Sequence, residues 1–313
     1  MIQWLTMNIA KSSTKALLKL PLADLIRKAD KIRSKFLPGK LELCSIINAK
    51  SGLCAEDCKF CAQSRRYKAN ALVYPLKSVG EIVKRAKKAK EIGAEKFGIV
   101  TSGNRLTTKE LEKIALIIKQ IRKKIGIKVC VSLGALKIGE LRALKTAGLS
   151  RYHHNIETSP RFYSKIVTTH SFKERIDTIK QAKRAGLEVC SGGIIGMGET
   201  LQDRIDMACI LKKLNVDSVP INFLVAMKGT PLESLKSISC RDAIRTLAIF
   251  RVILKDKVIK IAAGRETILK DFQGLGFVSG ANGMLIGGYL TIKGRELARD
   301  QRLVKEIKNL WKE

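Results

Sequence analysis

Three cysteines that follow an apolar run have the types and spacing to do chemistry. Cys54, Cys58 and Cys61 form a C-x₃-C-x₂-C pattern within eight residues of a chain that has eight cysteines in total. A structural zinc site takes four protein ligands, and a ferredoxin cluster takes four cysteines. Neither type of site has an obvious fourth ligand here. Three thiolates can instead ligate a four-iron cluster and leave one iron open, and the alternative is three ordinary buried thiols.

An open iron can bind a substrate directly. The amino and carboxylate groups of S-adenosylmethionine can chelate it, and Phe60, just before the third cysteine, would lie against the adenine. This arrangement is typical of radical S-adenosylmethionine enzymes. The sequence therefore predicts a redox enzyme with a [4Fe–4S] cluster and S-adenosylmethionine as cofactors.

The composition indicates the cellular setting. The chain has 313 residues, of which 45% are hydrophobic, enough for one large α/β barrel or two ordinary domains. No apolar stretch reaches the roughly 20 residues of a membrane span, and no signal-peptide order is present. We expect a cytoplasmic protein with no membrane partner, whose cysteines are thiols or metal ligands rather than disulfides.

The charge of the chain raises a competing interpretation. Sixty Lys and Arg against 28 Asp and Glu give a net charge of +32, which would attract nucleic acid through its phosphates. The lysines are spread along the predicted helices, and no aromatic residues alternate with them to stack on bases. We interpret them as solvated outer faces and expect no specific nucleic-acid partner. A basic iron–sulfur protein without turnover remains as the weakest reading.

The elements that position the cysteines follow a β-α alternation. Eight short β-rich runs alternate with amphipathic helical patterns, and several of these helices are closed by glycine. The predicted strands span 41–47, 96–101, 127–132, 151–156, 187–194, 217–224, 258–263 and 283–288. This order favours an α/β fold of the (β/α)₈ TIM-barrel type over a doubly wound sheet. We predict one domain over 1–313, with an N-terminal helical extension at 1–40, the barrel at 41–290 and a C-terminal helix at 291–313.

The alternation of side chains along each strand predicts which of them enter the barrel. In the fourth strand Arg151, His153, Asn155 and Glu157 share a face. The remaining predicted faces are Cys130 with Ser132, then Glu188 with Cys190, Pro220 with Asn222, and Ile259 with Ile261, Ala263 and Arg265. Polar and sulfur groups are therefore expected to converge inside the barrel. For Cys130 and Cys190 the alternative is a small buried hydrophobic residue, and for Arg265 an ion pair with Glu266.

Five motifs give the chain a close resemblance to the biotin synthase family from Leu43 to Gly288. They are the cysteine run Ser51–Ser64, then His154–Pro160, Cys190–Gly193, Ser218–Asn222 and Ala263–Glu266. The resemblance implies sulfur insertion between two saturated carbons of dethiobiotin to form biotin. In this chemistry a 5′-deoxyadenosyl radical removes hydrogen, and an auxiliary iron–sulfur cluster donates the sulfur.

The resemblance also assigns roles to individual residues. Arg175 would pair with the methionyl carboxylate of S-adenosylmethionine, and Asn155 and Glu157 would meet its ribose. Asn155 and Asn222 would hydrogen-bond the ureido ring of dethiobiotin, and His153 could touch the same substrate. The implied cluster ligands are Cys54, Cys58 and Cys61 for the [4Fe–4S] cluster, and Cys130, Cys190 and Arg265 for the auxiliary cluster. Because guanidinium has no free lone pair, an orienting role for Arg265 stays open.

One position departs from the family pattern. Gly98 stands where the family has a third cysteine ligand of the auxiliary cluster. That cluster is therefore [2Fe–2S], a variant of different composition, or absent. The alternative function that follows is a related radical enzyme that performs rearrangement or methyl transfer without donating sulfur. In either case the resemblance implies a reductant protein such as flavodoxin or ferredoxin, and a homodimer.

Overall fold

The computed structural model, which describes residues 16–290 and 294–312, consists of strands and helices that alternate along the chain. The strands are β1 Glu42–Lys50, β2 Lys96–Thr101, β3 Lys128–Ser132, β4 Arg151–His153, β5 Glu188–Cys190, β6 Gly193–Ile195, β7 Ser218–Phe223, β8 Val258–Ile261 and β9 Gly283–Leu285. The helices are α1 Leu22–Phe36, α2 Val79–Glu91, α3 Thr108–Lys124, α4 Ile138–Thr146, α5 Pro160–Tyr163, α6 Phe172–Arg184, α7 Leu201–Lys213, α8 Cys240–Leu254, α9 Arg265–Ile268, α10 Gln273–Val278 and α11 Leu297–Leu310, with a 3₁₀ turn at Lys270–Phe272.

The strands close into a parallel barrel. Their order is β5-β4-β3-β2-β1-β9-β8-β7-β6, and a further pairing of β5 with β7 joins the two ends. The predicted fifth strand is interrupted: β5 pairs with β4 and β7, and β6 continues along β7 after Gly192. A Cβ atom at Gly192 would lie 1.9 Å from the Pro220 carbonyl oxygen, so only glycine allows this approach. With β5 and β6 sharing one position, the predicted eight-stranded (β/α)₈ barrel is confirmed.

Polar capping residues mark the N-termini of the helices, and basic residues mark their C-termini. Ser78 and Glu81 form a capping box at α2, as do Thr107 and Glu110 at α3, and basic residues occupy the last turn of each helix. The apolar stripe of α3 is fully buried against the sheet. Lysines on the outer faces of α2 and α3, such as Lys84 and Lys119, are exposed, as the sequence analysis expects. No described helix is long and apolar enough to cross a bilayer.

Two helices outside the β-α alternation pack against it. In the predicted extension, α1 lies on α8 and buries Leu25 and Ala29 completely. The guanidinium of Arg33 in α1 lies 4.1 Å from the ring centre of Trp311, which ends α11, so the two terminal helices meet. Residues 1–15 of the predicted extension, and residues 291–293 and 313 of the predicted C-terminal helix, lie outside the described residues.

Candidate active site

A cavity of about 380 Å³ occupies the barrel interior. We call its two ends the mouth and the floor. The mouth, at the carboxyl ends of the strands, is lined by Phe60, Cys61, Asn155, Glu157 and Asn222, and the floor by Cys44, Lys96, Cys130, Arg151, Cys190 and Lys260. The volume lies within the range of small-molecule sites, and the mouth is the end at which barrel enzymes bind their ligands.

The three sequence-adjacent cysteines lie in a loop over the mouth, residues 54–61, which we call the cluster loop. Its ends are joined because the Cys54 amide donates to the Gln63 carbonyl (3.0 Å) and the Arg65 amide donates to the Cys54 carbonyl (2.8 Å). The Cys61 amide donates to the Cys58 carbonyl (2.9 Å), which turns the loop so that Phe60 and Cys61 face the cavity. The structure therefore brings together the motif that sequence spacing predicts.

Burial makes two thiols of the cluster loop, those of Cys58 and Cys61, hard to ionise without a metal. Burial raises the pKa of Cys61 to about 11 and that of Cys58 still further. Thiols lose their proton when they bind a metal. Among the described residues, no three His, Cys, Asp or Glu side chains converge on a single-ion site. In an iron–sulfur cluster each thiolate binds a different iron, so the thiolates do not need to converge on one point.

Arg175, Asn155 and Glu157 meet at the mouth. The Arg175 guanidinium donates from Nε to the Tyr163 hydroxyl (2.8 Å) and from Nη1 to the Asn155 carbonyl (3.0 Å). Its Nη1 also lies 3.8 Å from the Glu157 carboxylate. Burial raises the pKa of Glu157, and the nearby Arg175 charge only partly offsets this. The mouth thus presents a buried cation beside a carboxyl group that is readily neutralised.

The two carboxamides predicted to bind substrate are oriented by the backbone. The Gly192 amide donates to Oδ1 of Asn155 (3.1 Å), and the Ala263 amide donates to Oδ1 of Asn222 (3.1 Å). Nδ2 of Asn222 donates to the Gly193 carbonyl (3.3 Å). A carboxamide carries two N–H donors and two acceptor lone pairs, so each still has a donor and a lone pair for a ligand.

A third cysteine at the floor was missed by the sequence analysis. Cys44 in β1 lines the cavity together with Cys130 and Cys190. The register places Ile46 beside Gly98 and Gly98 beside Cys130; Gly98 has no side chain next to that thiol, and a Cβ atom there would lie 2.9 Å from a methyl group of Ile46. The signal was available, because Cys44 lies in the predicted first strand, but its side-chain parity was not followed.

Buried charges surround these thiols. The Glu42 carboxylate contacts Nζ of Lys96 (2.5 Å), Nη1 of Arg151 (2.7 Å) and Nζ of Lys260 (2.7 Å), and all four side chains are buried. Burial alone would raise the pKa of Glu42, but the three cations hold it well below its usual range. Glu188, at the rim, pairs with Arg151 at 2.8 Å. Three buried cations therefore face one buried carboxylate and the half-exposed Glu188, so one positive charge remains to be balanced by an anionic group.

The cations reach the thiols unequally. Nζ of Lys260 lies 3.1 Å from Sγ of Cys44. Although burial acts to raise the pKa of Cys190, the positive charges of Lys260 and His153 outweigh it and lower that pKa to about 6. Burial instead raises the pKa of Cys130 to about 12. Of the three thiols at the floor, that of Cys190 therefore loses its proton most readily.

The predicted inward position of Arg265 is wrong. β8 ends at Ile261, and Gly264 turns the chain with φ of 83°, so Arg265 begins α9 instead of extending the strand. Its guanidinium donates to the Tyr289 hydroxyl (2.9 Å) and the Asp300 carboxylate (2.7 Å), and Arg265 itself does not line the cavity. The predicted inward position is also wrong for Ile259 and Ile261, which are buried in the hydrophobic core, whereas Lys260 lines the cavity; Ala263, beyond the end of β8, lines it as predicted.

Comparisons with known families agree with this geometry. The chain matches the family model described as the radical SAM superfamily over residues 50–209. It matches the model of the biotin and thiamin synthesis associated domain over residues 220–308. Together the two matches include the cluster loop, β2 to β6, most of β7, β8 and β9, but only the last residue of β1, so they cover the mouth and all of the floor except Cys44.

Individual relatives and solved structures extend this result. Biotin synthase of Thermotoga petrophila is 52% identical over 299 residues, which cover 95% of this chain and 99% of that protein. Biotin synthase of Thermodesulfovibrio yellowstonii is 50% identical over 90% of this chain and 89% of its own. The crystal structure of methylornithine synthase, at 19% identity, superposes with a TM-score of 0.80 over 97% of this chain and 94% of that one, which shows a shared fold. The chain belongs to the biotin synthase family of radical S-adenosylmethionine enzymes.

Proposed function

We propose that this protein converts dethiobiotin to biotin by inserting sulfur between two saturated carbons. The observation that carries the proposal is one cavity with cysteines at both ends, three in the cluster loop and three at the floor. Bound at these two ends, a [4Fe–4S] cluster would supply the electron that cleaves S-adenosylmethionine, and an auxiliary cluster would supply sulfur. Cys54, Cys58 and Cys61 would hold the first of them.

At the mouth, protein groups would orient S-adenosylmethionine. Three of the five N–H groups of Arg175 donate to protein acceptors, which leaves two to grip the methionyl carboxylate. Glu157 and Asn155 would contact the ribose, and Phe60 would cover the adenine. A ligand held at several points reacts from one geometry, and the closed cavity keeps water from the reacting carbon.

Between the two ends, the carboxamides would hold the substrate. Asn155 and Asn222 each have a free N–H and a free lone pair, which match the N–H and carbonyl groups of a ureido ring. His153 lies opposite Cys190 in the strand register, so it would face the substrate from the floor side. These contacts would fix the saturated carbons between the mouth and the floor.

At the floor, we assign the auxiliary cluster to Cys44, Cys130 and Cys190 in place of the set that included Arg265. The excess of buried cations fits a cluster of negative charge, and Lys260 is the cation in contact with a thiol. With Cys44 as the third thiol, Gly98 no longer argues against sulfur donation. Whether the cluster is [2Fe–2S] or a larger variant depends on the room beside Gly98.

The proposal is tested with anaerobically reconstituted protein, dithionite, S-adenosylmethionine and dethiobiotin. Biotin and 5′-deoxyadenosine are quantified by mass spectrometry in the same sample. Both products are expected. Deoxyadenosine without biotin, in protein whose iron content accounts for two clusters, would favour the alternative of rearrangement or methyl transfer without sulfur donation.

Three further assignments belong to the same proposal. The physiological reductant would be a one-electron carrier such as flavodoxin or ferredoxin, which reduction kinetics can identify. The protein would act in the cytoplasm as a homodimer, and light scattering under anaerobic conditions measures its mass. It would have no specific nucleic-acid partner, because the exposed lysines are spread over separate helices.

A further inference from the structure

The cluster loop is docked on the segment 166–170, which follows α5. The Lys59 amide donates to the Ile166 carbonyl (3.0 Å). The Asp57 carboxylate accepts from the amides of Thr168 (2.9 Å) and Thr169 (3.1 Å). The segment thus fixes the loop through charge-assisted bonds.

His170, the last residue of this segment, connects the loop to Arg175. Its Nδ1 lies 2.8 Å from Oε2 of Glu56 in the cluster loop, and its Nε2 lies 2.7 Å from Nη2 of Arg175. The side chain of His170 is 4% exposed and that of Arg175 is 12% exposed. A continuous chain of side chains therefore runs from the cluster loop to the guanidinium at the mouth.

The partners of His170 fix its proton. A guanidinium has only donors, so Nε2 must accept from Arg175, and the ring proton must lie on Nδ1 and be donated to Glu56. Burial and the Arg175 charge lower the pKa of His170, which favours the same neutral ring. In this form the imidazole accepts a hydrogen bond from Nη2 of the guanidinium, while the Tyr163 hydroxyl accepts from Nε and the Asn155 carbonyl accepts from Nη1.

We propose that His170 is a positioning residue that, together with Glu56, aims Arg175 at the carboxylate of S-adenosylmethionine and links that aim to the cluster loop. The inference rests on the proposed function and adds a residue to which the sequence analysis gave no role. Its effect is on the orientation of a cation that binds the ligand, not on the cluster ligands themselves.

The test compares His170→Leu, which removes both contacts, with His170→Gln, whose carboxamide can accept from Arg175 and donate to Glu56. The affinity for S-adenosylmethionine is read from the change that it causes in the electron paramagnetic resonance spectrum of the reduced [4Fe–4S] cluster. Mutation of a residue that hydrogen-bonds a ligand-binding group typically lowers affinity by about 10- to 100-fold. His170→Leu should therefore weaken the affinity for S-adenosylmethionine by about that factor. His170→Gln should restore it to within about threefold of the original protein.

Controls separate positioning from folding. Iron content and the thermal unfolding midpoint should be the same in both variants, and Glu56→Leu combined with His170→Leu should be no worse than His170→Leu alone. Equal affinity in His170→Leu and the original protein, or a loss that follows iron content, would overturn the proposal. Failure of the proposed function shows differently, as unaltered protein that binds S-adenosylmethionine but forms no biotin.

Discussion

The mouth and the floor of the cavity hold similar chemical groups that are specified in different ways. At the mouth, the three cysteines of the cluster loop lie within eight residues, and backbone hydrogen bonds of that loop set their positions. At the floor, Cys44, Cys130 and Cys190 come from β1, β3 and β5, so the strand register sets theirs. The first site can be read from local spacing. The second site forms only once the barrel has closed, and buried cations there balance the negative charge of its thiolates.

The sharpest way to separate the two ends is Cys58→Ala. Loss of one of three ligands in the cluster loop should abolish cleavage of S-adenosylmethionine, so both deoxyadenosine and biotin fall to the background of the assay. Iron analysis should show loss of one cluster only. Retention of deoxyadenosine formation would show that the mouth is not the site of cleavage.

Cys44→Ala tests the floor in the opposite sense. The variant should form deoxyadenosine at a rate within about threefold of the original protein but no biotin, because the floor would bind the auxiliary cluster and the radical is generated at the mouth. Cys209→Ala is the matched control, since Cys209 is a buried thiol of α7 that does not line the cavity. Biotin formation by Cys44→Ala at the rate of the control would remove Cys44 from the ligand set.

Glu42→Gln measures the charge balance of the floor. Removal of the carboxylate leaves Lys96, Arg151 and Lys260 without their common partner, which should lower the free energy of unfolding by about 3–5 kcal/mol. Denaturant titration of the cluster-free protein gives the value. An anionic cluster should compensate in part, so the loss should be smaller in reconstituted protein. An equal loss in both forms would argue against a cluster near these cations.

Gly98→Ala should have the smallest effect. The added Cβ would lie 2.9 Å from a methyl group of Ile46, a side chain that can shift, so we expect a cost of about 1 kcal/mol in unfolding free energy. If the auxiliary cluster lies beside Gly98, the added methyl group should clearly reduce the iron bound at the floor even though the unfolding free energy changes little. Unchanged iron content and biotin yield would place the cluster away from β2.

The sequence predicts the barrel and the mouth well because both depend on local patterns. The β-α alternation, the cluster loop and the shared face of Arg151, His153, Asn155 and Glu157 agree with the structure. The floor was predicted less well. Assigning Arg265 to the inward face assumed that β8 continues, whereas Gly264 ends the extended run. Cys44 was missed because its side-chain parity in the first strand was not followed, while its contact with Lys260, 216 residues away, follows only from barrel closure.

The junction of β5 and β7 suggests that a cluster bound at the floor would also stabilise the barrel wall. Only one residue pair of the described ladder, Cys190 with Ser218, joins these two strands and completes the barrel wall. If Cys190 anchors a cluster that also binds β1 and β3, that cluster cross-links three strands of the barrel at the junction where β5 ends and β6 takes its place along β7. A reaction that consumes the sulfur of the cluster would then loosen the wall in each cycle. Amide hydrogen exchange at Ser191 and Ser218 should rise as the cluster is spent and fall when it is rebuilt.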